Sequence, residues 1–143
     1  MKCIAYKGGY KYQLQTEYTD TIGITPERDL ASPGEYVTLS TLGFITIKKG
    51  YAWDGPSGPT IDTKNFMRGS LVHDALYQLM REDELDRKRY RDPADRILTA
   101  MCRADGMSWL RAQWVYLGVK WFAADAAASK NRKKIVHAPD GCP

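Results

Sequence analysis

The feature that most constrains this chain is a change in the period of its apolar residues near the middle. Up to about residue 50 they alternate in short pieces, at 3–6, 10–14, 35–39 and 44–47, rich in β-branched and aromatic side chains. That is the pattern of half-buried strands. From Gly69 the spacing becomes three and four, through Leu71, Val72, Ala75, Leu76, Leu79 and Met80, the stripe of a core-facing helix. We therefore expect an α+β fold in which a small N-terminal antiparallel sheet is followed by helices. Gly8-Gly9 and Thr41-Leu42-Gly43 have the composition of turns between paired strands, so two hairpins are expected. The segment 25–34 reads as a surface connection.

Three helices are expected. After the first, Asp92-Pro93 reads as an N-cap followed by proline at the first helical position, which places a second helix at about 93–103, ending near Gly106. Ser108 can cap a third helix through Trp109, Leu110, Trp114, Leu117, Trp121 and Phe122 towards Ala128. A membrane or partner face is conceivable for its aromatic stripe, but Lys120 and Asp125 interrupt it and it is read as core-facing. The expected organisation is one domain over 1–143: mainly β to residue 50, a site loop at 51–63, a helical part at 64–130 and an extended tail at 131–143.

A chain of 143 residues can bury a core without staples. Its start carries no secretory apolar run and no segment is long enough for a membrane span, so no secretion by a signal peptide is expected. Cys3, Cys102 and Cys142 are odd in number and far apart, which fits reduced thiols in a cytoplasm. The net charge of +4 is mild. Its visible cluster, Lys130, Arg132, Lys133 and Lys134, reads as a solvated tail rather than a nucleic-acid site.

Chemistry concentrates in the middle of the chain. His73 and Tyr77, four apart, share a helix face, with Asp74 about a quarter turn away. An imidazole is the natural general base near neutral pH and works best when a carboxylate fixes its other nitrogen. Asp95 is the candidate for that role, because a short connection would return the second helix antiparallel to the first. In the bland reading Asp95 only stabilises the N-terminus of its helix and His73 is a satisfied core histidine. The preceding loop, Trp53-Asp54-Gly55-Pro56-Ser57-Gly58-Pro59, is rich in Gly and Pro, and Trp53 argues that it is ordered. Ser57 with His73 and an Asp has the residue types of a hydrolase triad but lacks the strand-turn-helix setting of a nucleophile. Trp53 and Asp54, with Arg68 and Arg81, would suit a small charged ligand stacked on the indole.

Two resemblances attach to these residues. His73-Asp74-Ala75-Leu76-Tyr77 with Ala94-Asp95 resembles the active-site helix pair of the phospholipase A2 group, particularly its disulfide-free parvoviral and prokaryotic forms, over roughly 51–102. That likeness implies that His73 activates water, Asp95 orients His73 and Tyr77 supports Asp95 through its hydroxyl. It also implies that Asp74 with loop residues Trp53, Gly55 and Ser57 holds a calcium ion, Asp54 and Pro56 completing the loop. The loop has fewer glycines than the usual calcium loop and an additional carboxylate at Asp54. The second likeness rests on Trp53-Asp54-Gly55-Pro56-Ser57, Val72-His73-Asp74-Ala75-Leu76-Tyr77 and Ala94-Asp95. These resemble a small phage- and prophage-encoded family of unknown function, DUF1353, and imply a phage or prophage origin without an established activity.

The expectation is a metal-assisted ester hydrolase of phospholipase type, with calcium and no organic cofactor, acting on a lipid or small ester in the host cytoplasm or from the virion. The alternative is a non-catalytic virion component, or an intracellular binder of a ligand or of other phage proteins, whose His-Asp-Tyr network is structural.

Overall fold

A computed structural model describes residues 4–6, 11–54, 63–128 and 135–142. Strands β1 (Ile4–Tyr6), β2 (Tyr12–Gln13), β3 (Tyr18–Thr21), β4 (Leu30–Ala31), β5 (Val37–Leu39), β6 (Phe44–Ile47) and β7 (Ala52–Trp53) precede helices α1 (Lys64–Arg81), α2 (Arg87–Ala104) and α3 (Trp109–Phe122), and β8 (Val136–Ala138) follows them. The chain is thus α+β, small antiparallel sheets followed by three helices.

The largest sheet has the order β3-β6-β5-β4, all antiparallel. Alternation decides its faces: Val37, Leu39, Ile45 and Ile47 are fully buried, whereas Thr38 and Thr46, opposite each other in register, lie on the half-exposed side. The expected β5–β6 hairpin turns at Gly43, whose φ is +79° and where a Cβ would come within 2.5 Å of the Ile22 carbonyl oxygen. Only glycine fits there.

The turn of the other expected hairpin, Gly8-Gly9, lies outside the described residues, and among the described residues its two strands do not pair with each other. β1 pairs with β8 and β2 with β7, so the two strands flanking Gly8-Gly9 each take a partner from far along the chain. Strands of two or three residues carry too little pattern to specify a partner, and their backbone groups pair wherever the helices bring a complementary edge. For the same reason part of the expected 131–143 tail is a strand, and part of the expected 51–63 loop is β7. Leu30–Ala31, expected within a surface connection, forms β4 with Leu30 buried.

α1 begins earlier than the apolar stripe, and α2 much earlier. Asp86 caps α2 by accepting from the Lys88 amide at 3.0 Å, so Pro93 lies inside the helix. Asp92, expected to be the cap, instead accepts from the Tyr116 hydroxyl and pairs with Arg96. The first turns of α2 are charged and largely exposed, so no apolar period announces them. The end near Gly106 is as expected: Gly106 has φ +98°, its amide bonds to the Arg103 carbonyl, and the Met107 amide bonds to that of Cys102. This is the left-handed closing turn that favours glycine.

α3 is capped by Ser108, whose hydroxyl accepts from the Arg111 amide at 3.3 Å, but its aromatic stripe faces outward. Ala112 and Val115 are buried against α2, while Trp109, Leu110, Trp114 and Trp121 are each more than 60% exposed. The helix is apolar on opposite sides, and the side with small residues packs closest. One core lies between the large sheet and α1; a second joins Phe66, Leu98, Cys102, Met107, Ala112 and Val115. Cys102 is a buried free thiol pushed up to about 11 by burial. Cys142 is disulfide-bonded, so the expectation of reduced thiols throughout is corrected there; wide spacing in sequence does not fix spacing in space. Among the described residues no helix is long and apolar enough to cross a membrane.

Candidate functional site

Gly69 sets the distance between the first two helices. A Cβ there would lie 2.9 Å from Leu98 Cδ1 and 3.2 Å from the Leu98 carbonyl oxygen, so the bare glycine lets the α2 backbone come against α1. One turn later along α1, His73 meets Asp95, and the helices run antiparallel past each other, 69 opposite 98 and 73 opposite 95.

His73 Nε2 is 2.7 Å from Asp95 Oδ1, and the Tyr77 hydroxyl donates to the same oxygen at 2.6 Å. The three side chains are 6%, 1% and 2% exposed. His73 stacks obliquely on Tyr77, the ring centroids 4.1 Å apart. Since the carboxylate can only accept, Nε2 carries the hydrogen and Nδ1 is left as the basic nitrogen. Nδ1 lies 3.8 Å from Asp74 Oδ1, beyond hydrogen-bond length, and Asp74 remains about a quarter exposed. Asp95 sits two turns inside α2, so the bland account of a helix-terminal carboxylate does not apply to it.

Burial works to lower the pKa of His73, but its neighbours Asp74 and Asp95 raise it by more, and the net shift is upward. Tyr77 is pushed well above the ordinary phenol range, first by burial and then by Asp95, with Arg91 opposing. Arg91 precedes Asp95 by four residues and was not singled out in the sequence; that helical spacing was the only available signal. Two buried polar atoms, Arg91 Nε and Asp95 Oδ2, have no hydrogen-bond partner among the described residues.

Trp53 anchors the start of the loop. Its indole donates to Ser70 Oγ at 3.2 Å, and Ser70 donates in turn to the Met67 carbonyl. The ring is buried between Tyr12 and Tyr51, which removes it as an open stacking surface. Arg68 and Arg81 are engaged by other partners: Arg68 forms a paired bond with Asp105 and reaches Tyr18, and Arg81 donates to the Ala126 carbonyl. Asp54 is exposed. Gly55, Pro56 and Ser57 lie outside the described residues.

The chemistry of Asp74, a hard and partly exposed oxygen donor, fits calcium. The Trp53 carbonyl, another expected ligand, accepts from the Lys11 amide at 3.3 Å. Among the described residues no group of three or more His, Cys, Asp or Glu is placed to hold a metal, and calcium takes roughly six to eight oxygens. A groove of about 480 Å³ lies elsewhere, between Pro26, Leu30, Leu85 and Tyr90, and is also lined by the ion pairs Arg28–Glu84 and Glu27–Arg89.

No curated protein and no solved structure matches the chain. Residues 29–119, which include β4 to α2, most of α3 and the whole His73–Asp95–Tyr77 cluster, match a family described as a protein of unknown function, DUF1353. That match covers well over half of the sequence, and the chain belongs to the DUF1353 family.

Proposed function

We propose that this protein is an ester hydrolase of phospholipase type in which His73 is the general base. The observation that supports this most is the division of labour on the imidazole: Nε2 is held by the buried Asp95, and Nδ1 is left on the side of the partly exposed Asp74. A water bound at Nδ1 would lose a proton to it while its oxygen attacks the ester carbonyl. The proton then passes to the departing alkoxide as the carbonyl re-forms. Asp95 stabilises the imidazolium between these steps, and Tyr77 holds the carboxylate in place by donating to the oxygen that faces His73. Asp74, with oxygens of the loop that starts at Trp53, is the residue that would hold calcium, which when bound would polarise the ester carbonyl. The substrate class is a lipid or small ester, and a phage or prophage origin, with action in the host cytoplasm or from the virion, belongs to the same reading.

A second reading is favoured by one observation. His73 and Trp53 are both more than nine-tenths buried, as in a polar network that pins a loop to two helices and performs no reaction. Titration of metal-stripped protein with calcium, followed by ester turnover, separates the two. In the hydrolase reading calcium binds saturably, Asp74→Asn abolishes that binding, and His73→Asn removes turnover while the fold survives. In the structural reading His73→Asn lowers the melting temperature and there is no turnover to lose.

A further inference from the structure

The outward face of α3 is apolar along its whole length. At about 100° per residue, Leu110, Trp114, Leu117 and Trp121 fall within one narrow strip, opposite the buried Ala112 and Val115. Trp114 and Trp121 are 71% and 67% exposed, and Trp109 adds a further exposed indole in the first turn. Contiguous exposure of this kind marks a contact surface.

The charge on the helix, and in the sequence that follows it, indicates the contact. α3 carries no acidic residue, and its two cations, Arg111 and Lys120, flank the strip on either side. Beyond the helix, Lys130, Arg132, Lys133 and Lys134 follow in the sequence. From Gly106 to Pro143 there are six Lys and Arg against two Asp, while the first 105 residues hold fifteen of each sign. All of the net charge of +4 therefore belongs to the part of the chain that bears the three exposed tryptophans. A second copy meeting this face would bring like charges together. A nucleic-acid strand would find aliphatic Leu110 and Leu117 between the indoles, where continuous stacking needs aromatic rings. Indole rings and leucines bordered by cations suit the boundary between headgroups and acyl chains of an anionic bilayer, where Trp is enriched and Lys and Arg meet lipid phosphates.

We propose that α3 is a peripheral membrane-docking helix, its Leu110–Trp114–Leu117–Trp121 strip lying in the surface of an anionic lipid bilayer. The contact is interfacial. It does not depend on whether His73 performs catalysis, and it is read without any activity assay.

The test is co-sedimentation and tryptophan fluorescence of the whole protein with vesicles of phosphatidylglycerol and phosphatidylcholine, compared with pure phosphatidylcholine. Partitioning onto the anionic vesicles is expected, with a blue-shifted emission, since the remaining indole, Trp53, is already buried. Trp114→Ser combined with Trp121→Ser should weaken partitioning by about tenfold or more, and Lys120→Glu should weaken it at low salt. Leu42→Ser, which alters an 81% exposed side chain in the β5–β6 turn, should change nothing. Circular dichroism checks that each variant is folded. The proposal is overturned by absence of binding to anionic vesicles, by equal binding to neutral ones, or by a folded double variant that binds like wild type. It is equally overturned if the protein ignores vesicles and is instead a dimer that the double variant dissociates, or binds single-stranded DNA that the double variant releases.

Discussion

Asp95 accepts from His73 and Tyr77 on a single carboxylate oxygen, and the two donors can be removed separately. Tyr77→Phe deletes one bond inside a closed core and should lower unfolding free energy by about 1–2 kcal/mol, measured by urea denaturation. If Tyr77 only holds Asp95 in place, ester turnover should fall less in this variant than in His73→Asn. The imidazole also predicts a pH dependence. The pKa of His73 is raised in the folded metal-free protein, so its contribution to stability is fully present below the unfolded value of about 6.5 and is lost as pH rises through the elevated folded value. Denaturation midpoints of wild type and His73→Gln should therefore converge as pH is raised; curves that stay parallel would mean that His73 carries no such shift. As a general base His73 must be neutral, so turnover should rise over the same interval. Sequence spacing could bring His73, Tyr77 and Asp95 together because helical periodicity and a short connection suffice for that. It could not reveal Gly69, whose importance depends on which atoms of α2 come opposite it, or Arg91, which lies in a charged run without apolar pattern.

Two glycines of the helical part separate two kinds of cost. Gly106 has nothing within 4 Å of an added Cβ but a φ of +98°, so Gly106→Ala should cost about 1 kcal/mol through backbone strain alone. Gly69 has ordinary helical geometry and a crowded Cβ direction. Gly69→Ala should cost about 1–3 kcal/mol by forcing α1 and α2 apart, partly offset by the better helix propensity of alanine. Only the second should move the His73 ring resonances in an NMR spectrum. The elements themselves were readable in the sequence to different degrees. β5 and β6 alternate cleanly around a glycine turn, and both structure and pattern place them at nearly the same residues. The start of α2 was hidden because an exposed charged helix shows no stripe. The orientation of α3 was reversed because a helix with apolar residues on two sides has no single inward direction, and residue size, which put Ala112 and Val115 against α2, settled it.

Across the whole molecule, pairing between distant parts of the chain is what local pattern could not specify. β2 meets β7, with all four strands of the large sheet between them in sequence, and β1 meets β8, with Ile4 opposite Ala138. Trp53 in β7 then reaches Ser70 in α1, so the small β2–β7 ladder fixes where the loop preceding α1 begins. Hydrogen exchange should show this hierarchy: amides of β5 and β6, in the middle of their sheet, exchange slowest, and those of β1 and β8, in a ladder of two short strands, exchange much faster. Equal protection in both would contradict it.

The β1–β8 ladder has a consequence in time as well as in space. Its two strands enclose nearly the entire chain, and joining them before the interior has condensed would incur the largest loop-closure entropy in the molecule. During synthesis β1 leaves the ribosome before its partner, which is made only after α1, α2 and α3. Until β8 arrives, the backbone edge of β1 is open to any other strand, so nascent chains crowded on one messenger are the setting in which this fold is most exposed to mispairing.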